Sequence, residues 1–211
     1  MIIAVDGPTA SGKGTIAKRL AAHFGLPHLD TGLLYRAVGR QVALNGGDPD
    51  NAEDAREACD FPDSLLRDPV LRSEETGGLA SRVSIHSAVR SALFERQRAF
   101  ATQPLGAVLD GRDIGTVIAP EAKIKLFITA SVEERARRRW LEMLDRHIGD
   151  DDDIPLSEVE QDIVRRDARD ISRTDAPLKA AQDAMVIDTT NLNVETAFAT
   201  VLEAVERELR S

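Results

Sequence analysis

The chain has 211 residues, with 27 Lys and Arg against 36 Asp and Glu, so its formal net charge is −9. This length suits one domain with a small inserted piece, and 42% hydrophobic and 30% charged residues are typical of a globular protein. Net acidity and only 4% aromatic residues exclude proteins that coat nucleic acid by charge or stack its bases, and a single cysteine excludes an internal disulfide.

Short apolar runs alternate with helical patterns along the chain. The runs predict buried strands at 2–5, 107–110, 124–130 and 184–187, and a short strand at 27–30. Apolar residues at helical spacing predict helices at 15–24, 33–44, 87–100, 132–148, 156–170 and 194–209. This alternation predicts an α/β fold, with a parallel sheet covered by helices on both faces.

Two stretches interrupt the alternation. Residues 46–80 carry little periodicity and many turn formers, which indicates an excursion from the main fold, read as a small subdomain. Four consecutive aspartates at 150–153 end the charged helix, and we expect them to form a solvated turn. The chain opens without a signal sequence and contains no apolar run near the ~20 residues that span a bilayer, so we expect a soluble cytoplasmic protein.

A glycine-rich loop joins the first strand to the first helix, and it is typical of a P-loop. Its backbone N–H groups and the helix N-terminus bind phosphate oxygens, and Lys13 reaches the β- and γ-phosphates. The usual Ser or Thr directly after the lysine is replaced by Gly14, and the hydroxyl follows at Thr15. The predicted ATP-binding residues are Gly7, Pro8, Thr9, Ala10, Ser11, Gly12, Lys13, Gly14 and Thr15.

A P-loop alone does not define the reaction, since switch GTPases, ATPases and small kinases all use one. The sequence lacks the Asn-Lys-x-Asp motif that reads guanine. A kinase needs a second, arginine-rich anion site, and three segments offer one: Asp30–Arg36, Asp110–Thr116 and Arg166–Arg173. Each alone could equally form solvated ion pairs, but their order after a P-loop favours a kinase.

The helix at 132–148 adds a cluster of arginines at 135 and 137–139. Arg135 and Arg139 lie one turn apart, and we predict that they neutralise charge on a transferring phosphoryl group. The alternative is i,i+4 pairing on an exposed helix, for example Glu134 with Arg138, and Arg137 is predicted to face solvent.

These motifs together resemble the bacterial cytidylate kinase family of nucleoside monophosphate kinases. The resemblance rests on Gly-Pro-x-x-x-Gly-Lys-Gly-Thr from residue 7, Asp-Thr-Gly-x-x-Tyr-Arg from residue 30, Asp-Gly-Arg-Asp-x-Gly-Thr from residue 110 and Arg-Asp-x-Arg-Asp-x-x-Arg from residue 166. It implies a three-layer P-loop fold over residues 1–211, with a core at 1–36 and 84–211, a helical lid near 135–160 and a nucleotide-monophosphate-binding insertion at 37–83.

The resemblance also implies the activity and the site residues. ATP would phosphorylate CMP or dCMP, with Lys13, Arg112, Arg135 and Arg139 as catalytic residues. Arg36, Arg112 and Arg173 would hold the acceptor phosphate, to which an arginine fork is suited. The CMP-binding residues implied by the family are Thr31, Tyr35, Arg36, Ser81, Arg90, Arg112, Asp113, Arg166, Asp170 and Arg173.

Cytosine offers an amino donor at N4 and acceptors at N3 and O2. Asp113 can accept from the amino group and Arg90 can donate to N3 and O2, whereas uracil would turn an acceptor towards Asp113. Mg²⁺ is expected as the second cofactor beside ATP, with Thr15 as a contact, direct or through water, and Asp110 as a weaker candidate. We expect a monomer that binds only small-molecule nucleotides and neither nucleic acid nor a membrane.

Two other functions remain open from the sequence. One is a kinase for a different monophosphate or a small alcohol. The other is a regulatory ATPase or GTPase, which would hydrolyse its nucleotide without an acceptor.

Overall fold

The computed structural model describes residues 1–146 and 154–210. These residues pack into two compact units, one formed by Met1–Leu29 with Ala101–Ser211 and the other by Asp30–Phe100. The assignment of 37–83 as a nucleotide-monophosphate-binding insertion, with a lid near 135–160, stays a prediction. The four aspartates at 150–153 and the predicted helix end at 148 lie outside the described residues.

Five strands form one parallel sheet, as the apolar runs predict. They are β1 (Ile2–Asp6), β2 (His28–Asp30), β3 (Ala107–Gly111), β4 (Ile124–Thr129) and β5 (Met185–Asp188), in the order β2-β3-β1-β4-β5. Asp6 lies opposite Gly111 and Phe127, and Thr129 lies opposite Asp188. The carboxyl ends of β1, β3, β4 and β5 therefore share one edge, where ligands of open α/β sheets bind.

Eight helices are described around and beyond this sheet. They are α1 (Lys13–Phe24), α2 (Thr31–Leu44), α3 (Ala52–Glu57), α4 (Glu74–Val83), α5 (Ser87–Ala101), α6 (Val132–Arg146), α7 (Leu156–Ser172) and α8 (Val194–Arg210). α1 and α8 bury their apolar faces against the central strands, with Leu20 and Val205 beside Ile3 and Val5. A second cluster joins α6 to α7, and Trp140 packs at its margin.

The strand β5 differs from its prediction. It was expected to be buried, but its residues alternate between partly buried and exposed, and Val186 is 61% exposed. The reason is its place at the end of the strand order, where β4 is its neighbour. A second difference is a π-helical turn at Ile114–Ile118, directly after the third strand, which has no signature in the sequence.

The second unit contains helices in the stretch where the sequence shows little periodicity and many turn-forming residues. Residues 46–80 contain α3, two 3₁₀ turns at Asp63–Arg67 and Pro69–Arg72, and most of α4. α2 packs against α4 at Gly39, where a Cβ would lie 2.7 Å from that of Leu79. Arg82 ties the start of this region to α4 through ion pairs with Asp48 (3.0 Å) and Asp50 (2.6 Å).

Candidate active site

The glycine-rich loop follows β1 and ends at α1, as predicted. Gly7 has φ 152°, and a Cβ there would lie 2.0 Å from the carbonyl oxygen of Ile128, so only glycine fits. Gly12 caps α1 with φ 86°, and Lys13 donates from Nζ to the carbonyl oxygen of Pro8 at 3.1 Å. Among the described residues no side chain caps α1, whose N-terminal N–H groups are of the kind that bind phosphate.

Thr9 connects this loop to two arginines. Its hydroxyl oxygen accepts a hydrogen bond from Arg112 Nη2 at 2.8 Å, and its carbonyl oxygen accepts one from Arg135 Nη1 at 3.1 Å. Arg112 Nε also donates to Asp170 at 2.8 Å, and Arg135 Nη2 donates to Asp167 at 2.6 Å. Asp167 and Asp170 are one turn apart on α7, so this helix holds both cations beside the loop.

The charge of Arg112 is strongly supported by its surroundings. Burial works to lower its pKa, but the carboxylates of Asp170, Asp167 and Asp110 more than compensate and raise it above the ordinary arginine value. A permanently charged, planar donor of this kind is suited to bind phosphate oxygens.

Three further CMP-site candidates lie on or beside α7. Arg166 pairs with Asp162 at 2.5 Å, and Asp170 is the partner of Arg112. Arg173 Nε donates to the carbonyl oxygen of Asp170 at 3.2 Å. Its Nη2 is buried and makes no hydrogen bond within the described residues, although it lies 3.8 Å from Asp170 Oδ1 as an ion pair, so it can still donate to a ligand.

Two carboxylates lie at the end of β3 and just after it, Asp110 and Asp113, and they have different surroundings. Asp110 Oδ1 lies 2.6 Å from His28 Nε2, and Asp110 Oδ2 lies 3.6 Å from the position that a Cβ would take at Gly14. Asp113, 6% exposed, begins the π-helical turn. Asp6 Oδ1 and Oδ2 accept from the first two N–H groups of this turn, those of Ile114 and Gly115, both at 2.8 Å.

The remaining predicted CMP residues lie in the second unit. Thr31 is buried at the start of α2, and Tyr35 follows one turn later. Arg36 Nη1 donates to the carbonyl oxygens of Leu71 and Ser73, both at 2.9 Å.

Ser81 and Arg90 both contact Ser84, which lies between α4 and α5. Ser84 donates from its hydroxyl to the carbonyl oxygen of Ser81 at 3.1 Å, and its own carbonyl oxygen accepts from Arg90 Nη1 at 2.5 Å. The structure therefore connects these two candidates locally.

The arginines of α6 separate into three environments. Arg137 is exposed, as predicted, and it pairs with Glu134, whereas Arg139 Nη1 donates to Glu142 at 2.8 Å. Arg138 pairs with Glu134 at 2.9 Å, but it is not on an exposed face. Only 24% of its side chain is exposed, and Nη1 lies 3.9 Å from the Cβ position of Gly12.

Sequence reasoning missed Thr189 and the role of Arg138 beside it. Arg138 donates to the hydroxyl of Thr189 at 3.0 Å and to its carbonyl oxygen at 2.6 Å, and the Thr189 hydroxyl lies 3.3 Å from the carbonyl oxygen of Ser11. The spacing of Arg138 three residues after Arg135 was an available signal, because such residues lie on neighbouring parts of a helix. Thr189 follows β5 with no motif around it.

The donor set for a magnesium ion is small. Thr15 is exposed in the first turn of α1, and the Asp110 carboxylate approaches Gly14 beside it. No group of three or more His, Cys, Asp or Glu side chains within the described residues could hold a metal by itself. Across residues 1–146 and 154–210, none of the helices meets the length and hydrophobicity needed to span a membrane.

Comparisons with known proteins agree with this geometry. The family described as cytidylate kinase matches residues 3–207. A cytidylate kinase of Xanthobacter autotrophicus is 52% identical over 206 residues, which cover 98% of this chain and 97% of that protein. A cytidylate kinase of Granulibacter bethesdensis is 50% identical over 210 residues, which cover 99% of this chain and 98% of that protein. A solved structure of an uncharacterized protein from Eubacterium ventriosum shares the fold, with a TM-score of 0.56, 15% identity and 98% coverage of both chains. On its motifs, its sheet and these full-length matches, the chain belongs to the cytidylate kinase family.

Proposed function

We propose that the chain transfers the γ-phosphoryl group of ATP to CMP or dCMP and forms ADP with CDP or dCDP. Family membership supports both the enzyme class and a cytidylate acceptor. The observation that carries the proposal is the hydrogen bond from Arg112 to Thr9. It joins a phosphate-binding loop to a partly buried, permanently charged arginine that is suited to a second phosphate.

The donor binds to the loop at 7–15. Main-chain N–H groups and the start of α1 surround the ATP phosphates, and Lys13 leaves the carbonyl oxygen of Pro8 to contact the β- and γ-phosphates. Arg135, anchored by Asp167 and by the carbonyl oxygen of Ala130, neutralises charge that develops on the transferring group. Arg139 is assigned the same role from the family resemblance.

The acceptor phosphate binds to Arg36, Arg112 and Arg173. Support for this comes from the raised pKa of Arg112 and from the unsatisfied, buried Nη2 of Arg173. Tyr35, Arg166 and Asp170 contact the ribose, where the Asp170 carboxylate is suited to accept from a sugar hydroxyl. Thr31, Ser81, Arg90 and Asp113 complete the nucleoside site, and Asp113 with Arg90 distinguishes cytosine from uracil.

Transfer needs no general base. A phosphate monoester carries a charge near −2 at neutral pH, so an acceptor oxygen is already a nucleophile. That oxygen forms a bond to the γ-phosphorus while the bond from this phosphorus to the β–γ bridging oxygen breaks, and ADP leaves with the electron pair. The protein contributes alignment of the two nucleotides and compensation of the charge spread over the transferring group.

A magnesium ion fits the donor set beside the loop. Thr15 and Asp110 would hold it, directly or through water, and it would supply positive charge that neutralises the phosphates of ATP. The residues of the chain need not complete its coordination alone. We also propose that the enzyme is a cytoplasmic monomer. Light scattering during size-exclusion chromatography measures its molar mass and tests whether it is a monomer.

A coupled ADP-release assay tests the function, with ATP and Mg²⁺ and with CMP, dCMP, UMP or AMP as acceptor. We expect CMP and dCMP to accelerate ADP release far more than UMP or AMP. Hydrolysis without any acceptor would indicate a regulatory ATPase, and equal rates with all four acceptors would contradict a cytidylate-specific site. Asp113→Ala should damage CMP turnover much more than ATP binding, which a separate ATP titration measures.

A further inference from the structure

Asp6 is a buried carboxylate to which the proposed reaction gives no role. It is the last residue of β1 and is 4% exposed. Its two oxygens accept from different main-chain N–H groups, those of Ile114 and Gly115, and both distances are 2.8 Å. Both oxygens of this side chain are therefore bound to the first residues of the π-helical turn.

The same turn fixes Asp113 from its other side. The carbonyl oxygen of Asp113 accepts from the N–H groups of Val117 at 2.8 Å and Ile118 at 3.2 Å. The backbone of Asp113 has φ −143° and ψ 21°, which is not a helical conformation, so the turn does not extend back through this residue. The backbone of Asp113 is thus held in two ways. Its own carbonyl oxygen accepts two hydrogen bonds from the turn, and the N–H groups of the two residues that follow it donate to Asp6.

The surroundings leave the capped turn little room to move. A Cβ at Gly115 would lie 3.4 Å from Asp6 Oδ2 and 3.3 Å from the side chain of Lys125. Lys125 is itself fixed, because its Nζ donates to Asp183 at 2.6 Å. Burial, and to a lesser extent the charge of Asp113, raise the pKa of Asp6 to about 7, while the two N–H bonds and Lys13 oppose this. Both oxygens of this buried carboxyl group are nevertheless engaged by main-chain N–H donors.

We propose that Asp6 is a positioning residue for acceptor specificity, because it holds the turn that presents the Asp113 carboxylate to the exocyclic amino group of cytosine. The inference rests on the proposed function, in which Asp113 reads the base. A site that pairs a polar substituent rejects an analogue lacking it only when its own polar group is fixed in position. Asp6 supplies that fixation from a neighbouring strand.

Asp6→Asn is the direct test, since it keeps the shape of the side chain but has one acceptor oxygen in place of two. One of the two N–H groups then loses its acceptor and faces an NH₂ group. We expect kcat/KM for CMP to fall about tenfold or more, while the much lower value for UMP changes less, so that the CMP-to-UMP ratio falls. Hydrogen exchange of the segment 112–118 should become faster in this variant.

Val5→Ala is the matched control. Val5 is the preceding residue of β1, fully buried, and its side chain points to the opposite face of the strand. This variant removes core packing without touching the turn, so we expect a lower melting temperature with an unchanged CMP-to-UMP ratio. Should the Asn variant fail to fold, Asp6→Glu keeps both oxygens but displaces them by one methylene, and we expect it also to lower the ratio.

The outcomes separate the inference from the function on which it rests. A wild-type enzyme without preference for CMP would defeat the proposed function itself. A wild-type preference that survives in both Asp6 variants, or a loss that is equal for CMP and UMP, would overturn the positioning role alone. A ratio that falls equally in Val5→Ala would also overturn it, because general destabilisation would then explain the effect.

Discussion

Replacing Thr9 by valine tests whether the donor loop positions the acceptor arginine. Valine has nearly the same shape as threonine but lacks the oxygen that accepts from Arg112 Nη2 at 2.8 Å. The carbonyl oxygen of residue 9, which accepts from Arg135, remains. The substitution therefore removes a single contact between the loop and Arg112, and leaves the main chain of the phosphate-binding loop in place.

The magnitude follows from the contacts of Arg112. A hydrogen bond to a charged group contributes about 1.5–3 kcal/mol, and exposure to water reduces this because water can replace the lost partner. The side chain of Arg112 is 24% exposed and keeps its 2.8 Å bond to Asp170, so we take the lower end of that range. A loss of about 1.5 kcal/mol corresponds to a fall of roughly tenfold in kcat/KM for CMP.

The assay varies CMP at saturating ATP and then ATP at saturating CMP. We expect the KM for CMP to rise more than the KM for ATP, because Arg112 is the group that becomes less well placed. Thr9→Ser is the matched control, since it restores the hydroxyl, and it should retain most of the wild-type value. An unchanged KM for CMP in Thr9→Val, or a serine variant as impaired as the valine variant, would refute the reasoning.

Three further predictions concern separate parts of the chain. Lys13→Met should lower kcat by about a hundredfold or more in steady-state assays with every acceptor, because a cation on the transferring phosphates is lost. Burial raises the pKa of Asp6 from 3.8 to about 7, so the native state keeps a proton that the unfolded state has released. Stability should therefore fall as pH rises from about 4 to about 7, by up to ~1.4 kcal/mol per unit, and the wild-type curve from urea unfolding should be steeper than that of Asp6→Asn. Gly39→Ala should destabilise the protein by about 1–3 kcal/mol, because its Cβ would lie 2.7 Å from that of Leu79, whereas Gly78→Ala, with nothing within 4 Å, should not.

Each of these has an outcome that contradicts it. A lysine variant impaired with one acceptor alone would place Lys13 outside the donor site. Parallel stability curves for wild type and Asp6→Asn would show that Asp6 does not titrate in this range. Equal melting temperatures for the two glycine variants would contradict the claim that the close packing of α2 against α4 requires glycine at position 39.

The conformation of the glycine-rich loop was predictable because its requirements are local in the sequence. Glycine at positions 7 and 12 is needed for the positive φ angles found there, and a glycine-rich turn between a strand and a helix can be recognised from neighbouring residues. The parallel sheet was predictable for a related reason, since short apolar runs separated by helical patterns leave few alternatives. The exposed side of β5 was not, because an apolar run does not reveal which strand lies at the end of a sheet.

The contacts that organise the site could not be read from the sequence. Arg112 and Thr9, which form a hydrogen bond, are 103 positions apart, and Asp6 and Ile114 are 108 positions apart. No periodic pattern in the sequence indicates either of these two contacts. The π-helical turn arises where a side chain from another strand captures its first N–H groups, so its own residues carry no signal. The composition of residues 46–80 suggested turns, yet helix packing within the second unit prevails over it, as tertiary contacts often do.

The two carboxylates that anchor Arg112 and Arg135 lie on consecutive turns of a single helix, α7. A displacement of that helix would therefore change the counter-ions of both guanidinium groups at once. We expect any substitution that shifts α7 to alter the surroundings of Arg112 and Arg135 jointly, even though the two arginines come from different parts of the chain.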